Sequence, residues 1–268
     1  VLGADDFAGV SAILEGAASL LESGATHPTL ELLFTTGEEH FCVGAKAFDA
    51  ERLQSKTAYV MDLSGPVGDC AVAAPTLITF SAEVVGKAAH AGFAPEDGVH
   101  AIQVAAAAVA NLPSGRWGDV TVNVGTISGG RATNIVPDSC TVTGEIRALC
   151  HQDALDRLNE IHSEFVEQAQ AVDAKLNFNH TIHITGYRVD TDAPVAQRFR
   201  RACAAVGVVP RFTDTYGGSD CNILSAHGIQ GLVVATAMNN CHAVSEYTSV
   251  EELCKAARLA QALMEKQD

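Results

Sequence analysis

Leu30-Glu31-Leu32-Leu33-Phe34-Thr35-Thr36-Gly37-Glu38-Glu39 runs from a mostly apolar stretch straight into a glycine and two carboxylates. A strand over 30–35 ending this way predicts an α/β sheet, because open α/β sheets place their chemistry at the carboxyl ends of strands. A second acidic pair stands in Gly3-Ala4-Asp5-Asp6. It heads a helix expected over 6–22, where Val10, Ile13, Leu14, Ala17, Leu20 and Leu21 share one face and Gly24 ends the segment. Further along, the strand expected over 57–62 ends in Asp62. His242 follows a strand over 231–236, in the loop Met238-Asn239-Asn240-Cys241-His242. Each of these has a bland reading: an N-cap for Asp5-Asp6, a solvated turn for Glu38-Glu39, a turn cap for Asp62, an incidental loop histidine for His242. Together, Asp5, Glu39, Asp62 and His242 form a mixed oxygen and nitrogen donor set suited to zinc, manganese or cobalt. Neighbouring residues leaving a strand point in different directions. One of Glu38 and Glu39 can therefore bind metal while the other faces substrate as general base.

The remaining pattern separates two domains. After Ala74-Pro75 the chain reads as a strand over 76–87, an alanine-rich helix over 100–111, strands over 120–127 and 140–147, a helix over 153–172 and a strand over 175–185. That β-α-β-β-α-β order predicts a ferredoxin-like module. A short helix is expected over 43–48 before it. After it the βα alternation resumes, with helices over 193–206 and 220–226, strands over 211–215 and 231–236, and a last helix opened by the capping box Ser249-Val250-Glu251-Glu252. The expected organisation is one α/β catalytic domain in two pieces, 1–74 and 186–268, with 75–185 inserted as a lid and dimerisation domain.

Composition narrows the function. The 268 residues are 47% hydrophobic, enough for a sizeable core. A formal net charge of -15 argues against nucleic acid as partner and lends no support to docking on anionic membrane. No apolar stretch approaches the roughly 20 residues of a membrane span, and no secretory signal opens the sequence. Eight cysteines without a Cys-x-x-Cys pair suit reduced thiols in a cytoplasmic protein. The chain opens on Val1, not Met, so an upstream segment, including a targeting signal, stays open. There is no G-x-S-x-G for a serine hydrolase and no glycine-rich phosphate loop.

Several longer strings then resemble peptidase T and its relatives, a family of co-catalytic di-metal exopeptidases that includes carboxypeptidase G and the aminoacylases. They are Gly3-Ala4-Asp5-Asp6-Phe7-Ala8-Gly9-Val10, Thr36-Gly37-Glu38-Glu39, Gly44-Ala45-Lys46, Met61-Asp62, Gly86-Lys87-Ala88-Ala89-His90-Ala91-Gly92, Thr133-Asn134-Ile135-Val136-Pro137, Gly217-Gly218-Ser219-Asp220 and His242. The resemblance spans nearly the whole chain in order and implies a zinc-exopeptidase-like mixed sheet domain. It implies that Asp5 bridges two divalent ions, most often zinc, that Glu38 is the general base, and that Glu39, Asp62 and His242 are terminal ligands. It also implies substrate contacts from His90, Asn134, Arg147, Gly217 and Gly218, with His90 reaching across a homodimer built by the lid. The expected activity is hydrolysis of short peptides, as in a tripeptide aminopeptidase. The alternatives are an N-acyl-amino-acid amidohydrolase of the same family, or a dimeric binding protein with a crippled metal site. The last has a motive in the sequence: relatives use an upstream His-x-Asp, and the only similar string here, His151-Gln152-Asp153, fits a helix N-cap. The expectation is a fragment or an incomplete site.

Overall fold

A computed structural model of the chain describes residues 2–266. It divides into two compact units, residues 1–74 with 187–268, and residues 75–186.

The first unit opens with α1 (Ala4–Ser23), and small side chains decide where it lies. Ala4, Ala8, Ala12 and Gly16 recur every fourth residue, followed by Leu20, and all are buried. A side chain at Gly9 would put its Cβ 2.0 Å from the Met61 carbonyl oxygen, and one at Gly16 would lie 2.8 Å from the Gln261 nitrogen. Met61 belongs to β1 (Thr57–Ser64) and Gln261 to α7 (Val250–Met264), so the α1 backbone rests directly on both. Regular helical geometry begins only after Asp6. Asp5 (φ -87°, ψ 101°) and Asp6 (φ -119°, ψ 39°) are both non-helical, and the peptide between them is cis. The capping expected of the pair falls to Asp6, whose Oδ1 accepts from the Gly9 N–H at 3.0 Å. Asp5 is thereby left for other partners.

The sheet of this unit is mixed. β1 runs parallel to β10 (Gln230–Met238), β10 is antiparallel to β2 (Asp69–Ala74), and β2 is flanked by β8 (Tyr187–Arg188) and, in parallel, β9 (Arg211–Asp214). Its core joins Leu20, Met61, Val72 and Leu232 to Phe199 of α5 (Pro194–Ala205) and Leu259 of α7. β1 continues two residues past Asp62, so Asp62 is not a strand end. Its pairing register is instead irregular between Val60 and Leu63, on either side of that residue.

One expected strand is absent. Leu30–Thr35 forms no strand and carries no strand pairing among the described residues. A cavity of about 770 Å³ lies between it and β1, lined by Leu30, Leu32 and Phe34 on one side and Tyr59, Met61 and Asp62 on the other. What holds the segment is side-chain bonding: the Glu31 carboxylate accepts from the N–H groups of Gln54 (3.1 Å) and Ser55 (2.8 Å), just ahead of β1. The Ser55 hydroxyl first, and then those two amides, hold Glu31 below the usual carboxylate range. An apolar run specifies extended backbone, but a strand also needs a neighbour for its N–H and C=O groups.

The second unit has the ferredoxin-like order. β3 (Thr76–Val85), β5 (Val120–Gly129), β6 (Ser139–Ala148) and β7 (Lys175–Ile184) form an antiparallel sheet in the order β5-β6-β3-β7, with the short β4 (Gly115–Trp117) added outside β5. α3 (Ala101–Asn111) and α4 (His151–Gln170) pack Ala105, Ala108, Leu158, Ile161 and Phe165 against Ile78, Val84, Val142 and Ile146. His100 caps α3, its Nδ1 accepting from the Gln103 N–H at 3.3 Å. His151-Gln152-Asp153 is not a cap: Cys150 is the N-cap residue, and His151 is already helical, with Nδ1 3.1 Å from the Thr76 hydroxyl. Nor is the reciprocal capping box at α7. Ser249 accepts from the Glu252 N–H (3.2 Å) without a returning bond, whereas Ser219 and Asn222 exchange both bonds at α6 (Asp220–Ala226).

Candidate metal centre

Glu38 and Glu39 lie on a single 3-10 turn, Glu38–His40, rather than on a strand end. Gly37 enters the turn at φ +69°, a left-handed conformation that glycine adopts without steric cost. The Gly44 N–H, from the short helix α2 (Val43–Ala47), closes the turn by donating to the Thr36 carbonyl at 2.9 Å. The two carboxylates diverge from there. Glu39 faces solvent and His242, with its Oε1 2.7 Å from His242 Nε2. Glu38 is half-buried, near Cys42, whose Sγ is 3.8 Å from its Oε1.

His242 is delivered by a tight loop after β10. Asn239 and Tyr247 exchange two backbone hydrogen bonds of 3.1 Å at its base, and Asn240 (φ +52°) and His242 (φ +64°) adopt left-handed backbone. Non-glycine residues seldom do so, and such positions cluster at functional sites. His242 Nε2 lies 2.9 Å from Asp5 Oδ2. Ligand atoms of Asp5, Glu39 and His242 all lie within 4.8 Å of one another. Beneath them Ala4, Ala8 and Met238 form a small apolar cluster, flanked by Cys241 and Leu253.

Asp62 is not in this triad. It faces a second acidic group made by Asp6, Glu38, Asp5 and Asp220. Burial first, then those neighbours, pushes the Asp62 carboxyl up to about 9. Burial likewise raises Asp6 to about 7, opposed by the Gly9 N–H and reinforced by Asp5 and Glu38. Glu38 also rises to about 7, through burial and then Glu39, Asp220 and Asp5. Burial and Glu38 drive the Cys42 thiol well above its ordinary range. Buried carboxylates crowded without a cation are costly in their charged forms. Asp220 accepts a hydrogen bond from the Thr35 hydroxyl, while its Oδ1 is buried with no protein partner. The donor chemistry fits divalent cations: oxygen and imidazole ligands at the triad, and carboxylates in want of positive charge beside it.

Three residues of this region escaped sequence reading. Asp6 stands in the quoted motifs with only a capping role, and Asp220 with none. Glu246 was not singled out; it is buried, and its Oε1 and Oε2 accept from the N–H groups of Asp5 (2.9 Å) and Gly3 (2.8 Å). Those amides, Asp5 first, hold its carboxyl below the usual range. Its position immediately before Tyr247 of the Asn239–Tyr247 closure, in the same loop as His242, is the only sequence signal for it.

The expected substrate contacts fall in both units. Gly217 and Gly218 lie between β9 and α6, leading into the Ser219 cap; the Gly217 N–H donates to the Thr215 hydroxyl at 3.1 Å. In the other unit, His90 and Asn134 come together because His90 bridges to Ile135 and the Ala91 N–H donates to the Asn134 carbonyl at 3.0 Å. His90 Nδ1 accepts from the Gly92 N–H (3.2 Å), which leaves Nε2 as its outward donor, and its ring packs on Phe93 at 4.3 Å. Arg147 and Glu145 point to one face of β6 and pair at 2.9 Å.

Comparison with known proteins identifies the family. Residues 72–173 match the peptidase dimerisation domain of the M20 peptidases, and residues 2–76 match peptidase family M28. The uncharacterized protein YqjE of Bacillus subtilis is 33% identical over 267 residues, covering 99% of this chain and 72% of YqjE. The chain belongs to the peptidase T-like members of the M20 peptidases. It is therefore a peptidase by family. The crystal structure of aminopeptidase PepT from Bacillus cereus superposes with a TM-score of 0.94 at 37% identity, over 98% of this chain and 71% of PepT. A tripeptidase from Staphylococcus aureus gives 0.95 at 29% identity, with the same two shares. Peptidase T of Alkaliphilus oremlandii is 26% identical over 278 residues, and this chain spans 65% of it. Among the described residues no helix is long and apolar enough to cross a membrane.

Proposed function

We propose that this M20 chain is the metal-dependent catalytic part of an exopeptidase acting on short peptides, in the manner of an aminotripeptidase. The observation that carries the reading is the convergence of Asp5, Glu39 and His242 with the half-buried Glu38 on the adjoining turn. Asp5, Glu39 and His242 would hold one divalent ion, with Asp5 shared towards a second held by Asp62. Zinc suits these donors, and cobalt or manganese are close substitutes. When bound, such ions polarise the scissile carbonyl and make water more acidic.

The chain's own work is then proton transfer and orientation. Glu38 takes a proton from the attacking water on a carboxylate oxygen as the water oxygen bonds to the scissile carbonyl carbon. It returns that proton to the departing amine as the C–N bond breaks. Gly217 and Gly218 would position the peptide, while the roles of Asn134 and Arg147, and of His90 towards a partner's scissile carbonyl, rest on the family resemblance alone. The match of residues 72–173 to a dimerisation domain supports a homodimer formed by the second unit, where β7 is an unpaired sheet edge. A reducing, cytoplasmic setting accords with eight cysteines that are all unpaired.

Metal analysis together with assays on tripeptides and on N-acyl amino acids tests the reading. Expected are bound divalent metal and release of the N-terminal residue from tripeptides. Preference for N-acyl amino acids would move the chain to the amidohydrolases of the family, and absence of bound metal would overturn the reading.

A further inference from the structure

We infer that Glu246 is a positioning residue that fixes Asp5 by its backbone. The role rests on the proposed metal site. The two carboxylate oxygens of Glu246 accept separately from Gly3 N (2.8 Å) and Asp5 N (2.9 Å), across more than 240 residues of sequence. The side chain is buried, 8% exposed, so these bonds form away from bulk water and are charge-assisted.

Three further features make the contact a device and not a stray hydrogen bond. Asp5 has left helical geometry, so no helical hydrogen bond fixes its direction. Glu246 and His242 ride on one loop, closed at its base by the paired bonds between Asn239 and Tyr247. That loop is further braced by Glu246 N–H to the Ala243 carbonyl (3.1 Å) and the Asn240 side-chain amide to the Ser245 carbonyl (3.4 Å). One loop thus grips Asp5 twice: Glu246 holds its amide, and His242 Nε2 stands 2.9 Å from its carboxylate. The distance between two proposed ligands that are far apart in sequence is set by a third residue outside that ligand set. Groups that orient metal ligands in this way typically govern affinity by 10- to 100-fold.

Zinc titration of the chain and of two variants tests the inference, with amide exchange at Gly3 and Asp5 as a second readout. Glu246→Gln keeps the size but offers one acceptor oxygen for two N–H groups. It should bind zinc about 10- to 100-fold more weakly, and exchange at both amides should accelerate while the signals of residues 75–186 stay unchanged. Glu246→Asp keeps the charge but is one methylene shorter, and it should weaken binding by an intermediate factor. If Glu246→Asp binds zinc as the parent does, Glu246 acts through its charge and the positioning role fails. A folded Glu246→Gln with parental affinity overturns it as well. If Glu246→Gln does not fold, Glu246→Asp alone decides. A parent chain that binds no zinc overturns the metal reading itself, and this role with it.

Discussion

The two units solve the same problem of satisfying a sheet, and they solve it differently. In residues 75–186, β3 is paired on both sides over nearly its whole length, with β6 along all of it and with β7 from Leu77 to Val85, and its core face is sealed by α3 and α4. In the other unit, among the described residues, β1 pairs on one side only, with β10, and a cavity of about 770 Å³ is lined by both β1 and Leu30–Phe34. The acidic residues line the open side: Asp6, Glu38, Asp62 and Asp220 are among the cavity walls. The self-sufficient sheet carries few groups of perturbed acidity, and the incomplete one carries nearly all of them. Chemistry is concentrated where the scaffold leaves backbone and carboxylates unsatisfied, as expected when function is traded against local stability.

Changes on the chemical side should have the largest effect. Glu38→Gln should lower tripeptide turnover by about 10²- to 10⁴-fold, the usual contribution of a general base, with metal content unchanged. Metal loss in that variant, with retention in Glu39→Gln, would mean that the two glutamates have exchanged roles. In the closed sheet the corresponding effect is on stability. Phe165 is fully buried, and Phe165→Ala should destabilise residues 75–186 by about 3–5 kcal/mol in chemical denaturation. Leu32, 45% exposed on the cavity wall, should cost under about 1 kcal/mol when changed to alanine. Comparable losses at the two positions would erase the contrast. Hydrogen exchange offers a direct map: amides of β3 and β6 should open only with global unfolding, while those of 30–34 exchange through small local fluctuations. Smallest of all, Arg147→Ala should change stability by about 0–1 kcal/mol, since its pair with Glu145 is partly exposed. If Arg147 also holds the substrate's carboxylate end, KM should rise while kcat changes less.

Much of this was legible in the sequence, for identifiable reasons. The ferredoxin-like order emerged because its strands alternate and its long helix has a clear apolar stripe from Leu158 to Phe165. Asp69-Cys70-Ala71-Val72-Ala73-Ala74 was not legible as a strand, because alanine has little strand preference and every residue after Asp69 is buried, which removes the alternation. Leu30–Thr35 misled in the opposite way: its composition is that of a buried strand, but pairing depends on a neighbour that no local pattern encodes. At the candidate centre, carboxylates and a histidine at or near the ends of apolar runs pointed to Asp5, Glu39, Asp62 and His242 as a set. Which of them share a face could not be read, because it depends on the turn at Glu38 and the register irregularity beside Asp62. Glu246 was invisible for a different reason. Its partners are backbone amides, and any residue but proline at positions 3 and 5 would present them.

The bare stripe on α1 has a consequence for anyone engineering this chain. Replacing helical glycine by alanine is an ordinary route to a sturdier protein, with a gain of about 0.4–1 kcal/mol where space allows. At Gly9 that recipe inverts, because the new methyl would stand 2.0 Å from the Met61 carbonyl oxygen and within 2.7 Å of both Asp6 carboxylate oxygens. Relief could come only by prising the helix from the strand, and with it the turn that bears the acidic pair. A stabilisation campaign or an alanine-rich consensus that treats α1 as a generic surface helix would thus disarm the protein without altering one reactive group.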